Sequence, residues 1–323
     1  MLVTDGQRLW RKRLHRRPDR VGCYISNQKR KAKMCKLALG TVQFGFSYGV
    51  ANQAGQVNLS AAKKILDQAG KSQINLLDTA IAYGDSEEVL GKIGVSEFNV
   101  VSKLPGLPEG SSDIYSWVEE QVEGSLKRLG CSSLYGLLLH RSENLLANSG
   151  KKLIGALNRV KSDGLVQKVG LSIYHPSELN EVMHLMQIDL VQAPLNLIDR
   201  RIETSGWLSR LHREGVEVHT RSVFLQGLLL MPRNKIPPKF EAWATLWDSW
   251  AAELEEKDLS AAAACLSYPL SLPEVVRVVV GVDSVDQLKA LIAASQTQFP
   301  QHDFSFMTSE DQMLINPSNW NTL

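Results

Sequence analysis

Short apolar runs alternate along most of this chain with amphipathic stretches of roughly ten to seventeen residues, the rhythm of repeated strand–helix units around a parallel sheet. The predicted strands are LALGTVQ (37–43), INLLDT (74–79), FNVVSK (98–103), LYGLLLH (134–140), QKVGLS (167–172), DLVQ (189–192), VEVHTR (216–221) and VRVVVG (276–281). Runs such as LYGLLLH and VRVVVG are nearly continuous in apolar residues, as strands covered on both faces must be. Eight units of this kind close one (β/α)8 barrel, a TIM barrel, so the pattern predicts a single α/β domain over 34–296.

The polar positions between these runs carry helix signals. Ser60, Ser86, Asp113, Ser177 and Ser284 each stand before an amphipathic run, and Gly130 follows one that starts after Asp113. The longest irregular connection runs from Ser222 to about Lys239 and contains Pro232, Pro237 and Pro238. Trp243, Trp247 and Trp250 then follow at helical spacing, which predicts a packed helix face rather than a sugar-stacking platform. Residues 297–323 have weak periodicity and read as a tail or a lid.

Composition adds limits. Of 323 residues, 44% are hydrophobic and 22% charged, so the chain can bury a large core. The formal net charge of +2 conceals an asymmetry: residues 1–33 hold 11 of the 36 Lys and Arg and only Asp5 and Asp19 among the acids. That basic segment reads as a disordered leader, with a targeting peptide or a nucleic-acid-binding arm as its alternatives. The rest is mildly acidic, which argues against nucleic acid as a partner. No run reaches the ~18 apolar residues of a membrane helix. Cys23, Cys35, Cys131 and Cys265 are far apart and suggest neither a disulfide framework nor a zinc site, so the expectation is a cytoplasmic protein without a metal.

In a barrel, residues at the C-terminal strand ends point into the mouth. The second strand closes on Asp78, the third on Lys103 and the fourth on His140, and Tyr83 follows Asp78 by five residues. Tyrosine, with an ordinary pKa of about 10, is a poor proton donor near neutrality, and an ammonium beside it favours the phenolate. An aspartate can orient that ammonium, and an imidazole can hold a substrate oxygen. Such a group suits carbonyl reduction, with hydride supplied by a cofactor. No G-x-G-x-x-G follows the first strand, so a Rossmann site is not expected.

DTAIAYGDSEEVLG, with Lys and His on the next two strands, resembles the signature of the aldo-keto reductases, and GTVQFGFSYG, GLSIY, VQAPLN and RSVFLQGLL fall at matching strand ends. The resemblance covers roughly residues 36–295. VQFGFSYGVAN, PLNLIDRR and RSVFLQGLLL are most similar to bacterial members associated with surface-polysaccharide or other sugar pathways. It implies an NAD(P)H-dependent reductase, or the reverse dehydrogenase, acting on an aldehyde, ketone or sugar carbonyl, with Asp78, Tyr83, Lys103 and His140 as catalytic group. It also implies Ser172 and Gln192 at the nicotinamide carboxamide and Gly227 near the pyrophosphate. Gly40, Thr41, Arg221, Ser222, Gly281, Ser284 and Gln287 complete the expected cofactor contacts, and Phe44, Tyr48 and Arg141 the substrate mouth. Arg221 stands where many relatives carry a stacking tyrosine, and Gln287 where many carry an arginine for a 2′-phosphate. NADP(H) is the expected cofactor ahead of NAD(H). The rival reading is a nucleotide-binding regulatory or redox-sensing barrel without turnover.

Overall fold

A computed structural model describes residues 35–297 and 304–323, and the basic segment 1–33 lies outside them. Eight strands, β1 (Leu37–Gly40), β2 (Leu76–Asp78), β3 (Asn99–Leu104), β4 (Leu134–Leu139), β5 (Val166–Ser172), β6 (Leu190–Pro194), β7 (Glu217–Arg221) and β8 (Val275–Gly281), pair in sequence order and close into a barrel. Every pairing is parallel, and β8 returns to β1 with Gly40 opposite Gly281. All eight predicted strands are present with ends shifted by up to three residues. The first and second each lose three residues, the first because residues 42–45 leave the sheet as one helical turn, α1 (Val42–Gly45).

Helices α2 (Leu59–Lys71), α3 (Ser86–Ile93), α4 (Ile114–Leu129), α5 (Gly150–Ser162), α6 (Glu178–Val182), α7 (Arg201–Thr204), α8 (Trp207–Arg213), α9 (Ala244–Glu256), α10 (Ala261–Ser271) and α11 (Val285–Gln296) fill the connections. Local chemistry explains their ends. The Asp113 carboxylate accepts from Ser116 N at the start of α4, and Gly130 ends that helix at φ 66°, where a side chain would be strained. Ser284 caps α11 by accepting from Gln287 N. Two expected starts differ. Asn58, not Ser60, caps α2, and Ser86 turns inward as the first residue of α3, donating to Thr41. Between helices and sheet lies a core that includes Leu39, Leu77, Val100, Leu137, Leu171 and Val191, each fully buried side chain worth about 1.5–3 kcal/mol relative to exposure.

Strand alternation separates that outer core from the barrel interior, since successive side chains point to opposite faces. Ala38, Leu76, Val101, Leu138, Leu190 and Val279 form a second apolar cluster inside the barrel. Two residues further along each strand come Gly40, Asp78, Lys103, His140, Gln192 and Gly281, all at the C-terminal rim. The opposite end is closed by polar groups: Lys168 Nζ donates to Glu217 Oε1 (2.5 Å) and to the Tyr135 hydroxyl (2.8 Å).

The tryptophan face behaves as a packing surface. Trp247 and Trp250 are buried, and their indole N–H groups donate to the carbonyls of Phe240 and Leu229. The segment 304–323, with helix α12 (Gln312–Ile315), lies over the same region. Phe304 meets Trp250 edge-on at 5.8 Å, Trp320 meets Phe240 at 4.8 Å, and Trp243 Nε1 donates to Asp311 Oδ2 (3.0 Å).

Candidate active site

Lys103 is the centre of the rim. Its ammonium donates to Asp78 Oδ2 (2.7 Å) and to the Thr79 carbonyl (2.9 Å), and it lies 5.0 Å from the centroid of the Tyr83 ring. Burial by itself would lower the lysine pKa; the Asp78 carboxylate and Tyr83 outweigh it and hold the pKa above the usual value, so the amine stays charged. Asp78 is held from its other side, where Gln192 Nε2 donates to Oδ1 at 2.6 Å. The opposite amide orientation would set two acceptor oxygens against each other, which fixes the Gln192 nitrogen toward Asp78.

Tyr83 reaches this point because the loop after β2 is tied at several places. Ile81 N donates to the Lys103 carbonyl, Tyr83 N to Ala80 O, and Ser86 N to Tyr83 O. Gly45 of α1 packs so closely that a Cβ there would lie 1.7 Å from Tyr83 O, so only glycine fits. His140 follows β4, and its ring meets that of Tyr83 edge-on at 6.0 Å. Its burial, together with the positive charges of Lys103 and Arg221, pushes the imidazole pKa down to about 4. His140 is therefore neutral across the physiological range, with an N–H available for an oxygen.

These four groups converge on a cavity of about 560 Å³, within the range of small-molecule sites. Asp78, Tyr83 and His140 line it, while Lys103 lies directly behind them. Of the other expected positions, Gly40, Thr41, Tyr48, Ser172, Arg221, Ser222, Gly227, Gly281 and Gln287 also line it. Four do not. Phe44 is fully buried in the outer core, because the turn of α1 aims it inward; Phe46 and Tyr48 take the exposed places instead. Arg141 stands in solvent paired with Glu143 at 3.6 Å. Ser284 serves as the α11 cap, and Gln192 lies fully buried behind Asp78.

Several lining residues escaped the sequence reading. Asn52 ties the loop after β1 to the far end of the cavity, donating to Gly55 O (3.0 Å) and Asp283 Oδ1 (3.3 Å). Tyr174 receives the Arg221 guanidinium on its ring at 4.5 Å, and Gln226 Nε2 donates to the Tyr48 hydroxyl at 3.3 Å. Asn52, Tyr174 and Gln226 all sit within the quoted motifs, yet only the folded loops bring them to one wall. After β7 the backbone takes positive φ at Ser222 (61°), Leu225 (48°), Gln226 (54°) and Gly227 (90°). Such a cluster of left-handed residues carries strain of the kind found at ligand clamps.

A nicotinamide dinucleotide fits this surface in three respects. Gly40 and Gly281 lie side by side on the floor without side chains, and a Cβ on Gly281 would collide with Gln43. Gln192 Oε1 is buried without a hydrogen-bond partner, an acceptor of the kind a carboxamide N–H would satisfy. Ser172 lines the cavity from the strand beside Gln192, its Cα paired with that residue in the sheet.

Comparison with known proteins agrees. The model of the Aldo/keto reductase family matches residues 36–311. An uncharacterized oxidoreductase, YqkF, of Bacillus subtilis (strain 168) is 26% identical over 286 residues, covering 82% of this chain and 92% of its own length. L-galactose dehydrogenase of Arabidopsis thaliana is 26% identical over 281 residues, covering 80% and 85%. Among solved structures, aldo-keto reductase AKR11C1 from Bacillus halodurans in its holo form superposes with a TM-score of 0.67 at 22% identity, covering 84% of this chain and 90% of that one. No helix among the described residues is long and apolar enough to cross a membrane.

Proposed function

The chain belongs to the aldo/keto reductase family and is an NAD(P)-dependent oxidoreductase acting on carbonyl compounds; from that premise we propose that Tyr83 is its proton donor and that its substrates are aldehydes, ketones or sugar carbonyls. The bound nicotinamide supplies or accepts the hydride. Ser172 and Gln192 Oε1 would hold its carboxamide, and the loop that contains Gly227 would meet its pyrophosphate. Neutral His140 donates its N–H to the carbonyl oxygen and fixes its direction. Tyr83 passes its phenolic proton to that oxygen as charge develops there, and the Lys103 ammonium beside it stabilises the phenolate that remains. Asp78, gripped by Gln192, keeps the ammonium in place.

The observation that carries this reading is the position of one buried, charged amine between a carboxylate at 2.7 Å and a tyrosine ring at 5.0 Å. The sugar part of the reading is supported by relatives such as L-galactose dehydrogenase. The expected preference for NADP(H) draws no support from charge. At the α11 end the cavity is lined by Asp283, Gln287, Ala290 and Leu291, with no Lys or Arg among the described lining residues there. A 2′-phosphate finds no cation in that set, so NADH is expected to bind at least as tightly as NADPH. Titration of the full chain with each nucleotide by tryptophan fluorescence, followed by a screen of aldehydes, ketones and sugars at the nicotinamide absorbance band, tests both points. Failure of both nucleotides to bind overturns the reading; tight binding without turnover favours a regulatory barrel.

The depressed basicity of His140 gives a second expected outcome. Above the ordinary histidine pKa of 6.5 the imidazole is neutral in both folded and unfolded chains. As pH falls from 6.5 toward 4, the unfolded chain takes up a proton that the folded one refuses, so stability is lost through that window. The imidazole resonance of His140, assigned with a His140→Asn variant, should titrate near 4; a midpoint near 6.5 would contradict the burial argument.

A further inference from the structure

We propose that Arg221 is an oxyanion receptor in the substrate pocket, and that the carbonyl compounds this protein prefers carry a carboxylate or a phosphate ester a few atoms from the carbonyl. The proposal rests on the carbonyl-reductase reading above, adds the substrate class, and moves Arg221 from the expected cofactor contacts to the substrate wall.

Charge balance at the rim carries it. The Lys103 cation is matched by the Asp78 carboxylate in direct contact, and His140 is neutral. That leaves Arg221, always charged at physiological pH. No carboxylate lies within ion-pair distance of it among the described residues. Asp283, the other acid lining the cavity, responds to its own burial and to Gln287 and not to Arg221. Among the described residues, the catalytic end of the cavity thus holds one positive charge without a carboxylate partner. Arg221 lines the same cavity as Tyr48, Asp78, Tyr83 and His140, and so faces the place where the carbonyl would sit.

The guanidinium is also held in a fixed plane. Nη2 donates to the Ile173 carbonyl (3.0 Å), Nη1 to Ser222 Oγ (3.2 Å), and the plane rests on the Tyr174 ring at 4.5 Å. Among the described residues two of its five N–H donors find acceptors, which leaves Nε–H and one N–H on each terminal nitrogen for a two-pronged contact with an oxyanion. The Tyr48 hydroxyl and Gln226 amide, 3.3 Å apart on the same cavity surface, add neutral donors. A single cation without a second one nearby balances a carboxylate more closely than a phosphate dianion, so the carboxylate is the favoured source.

The test uses pairs that differ in the anionic group: 4-oxobutanoate against 4-oxobutanamide, and glyceraldehyde 3-phosphate against glyceraldehyde. Each is assayed with wild type, Arg221→Met and Arg221→Lys. In wild type, kcat/KM for the anionic member should exceed that of the neutral one by about tenfold to a hundredfold, the range of one charge-assisted contact. The ratio should fall to about unity in Arg221→Met and be retained in part in Arg221→Lys, with the larger ratio telling carboxylate from phosphate. Calorimetric binding of butanoate and butanamide to the nucleotide-loaded protein gives a readout independent of turnover, and butanoate should bind more tightly only while residue 221 is cationic. Equal use of neutral and anionic members overturns the proposal. So does a preference that survives in Arg221→Met, or a loss of nucleotide affinity in that variant with the substrate ratio unchanged. Arg221-dependent butanoate binding without reduction of any carbonyl would uphold the receptor and remove the proton-donor reading; reduction without anion preference would do the reverse.

Discussion

Tyr83→Phe is expected to lower turnover by about 10²–10⁴-fold, the usual worth of a positioned proton donor, while nucleotide affinity stays within about twofold of wild type. The phenyl ring keeps the edge-on contact with His140 and the place above Lys103, so packing is preserved and only the hydroxyl is lost. Proton transfer happens only as the carbonyl is reduced, so the loss should appear in kcat and kcat/KM together rather than in KM alone. Rapid-mixing measurement of a single turnover with saturating nucleotide separates the chemical step from release. A variant that retains full single-turnover speed would remove Tyr83 from the mechanism and direct attention to the Tyr48 hydroxyl on the same cavity surface.

Lys103→Met should damage stability as well as activity. Lys103 is 1% exposed and its nitrogen is bonded to Asp78 and Thr79, so methionine fills the volume but leaves a buried carboxylate without its cation. Removing one partner of such a pair costs about 3–5 kcal/mol, whereas replacing both by apolar groups is far less harmful. Lys103→Met is therefore expected to unfold at markedly lower denaturant concentration. The double variant Lys103→Met/Asp78→Leu should recover much of that stability and none of the turnover. Equilibrium denaturation of the two variants beside wild type checks this. Equal stability of Lys103→Met and wild type would mean that water reaches Asp78, contrary to its burial.

The two predictions separate roles that the sequence presents as one motif. Asp78, Tyr83, Lys103 and His140 were legible as a set because three of them close consecutive strands and the fourth follows at a fixed offset. Their division of labour was not legible. That Lys103 sits behind the cavity and Tyr83 within it depends on side-chain depth, which strand position alone does not give. Gln192 illustrates the same limit. Its place at a strand end suggests a cofactor contact; the folded barrel adds a second role, since its amide N–H grips the carboxylate that holds the ammonium and leaves the oxygen without a protein partner.

The number and order of the strands, the parallel barrel and the strand ends that meet at the mouth are all legible in the chain before it folds. Those properties follow from hydrophobic periodicity, a local property of short segments, and from the alternation of side chains along a strand. Which neighbours each polar group finds is set by the closed barrel. Phe44 went to the core because one helical turn after β1 rotated it inward. Asn52 and Asp283, 231 residues apart, met across the cavity because closing the barrel brings β8 beside β1. Burial, charge and hydrogen-bond partners are sums over such distant neighbours, so the neutral state of His140 and the uncompensated charge of Arg221 appear only once the barrel is closed.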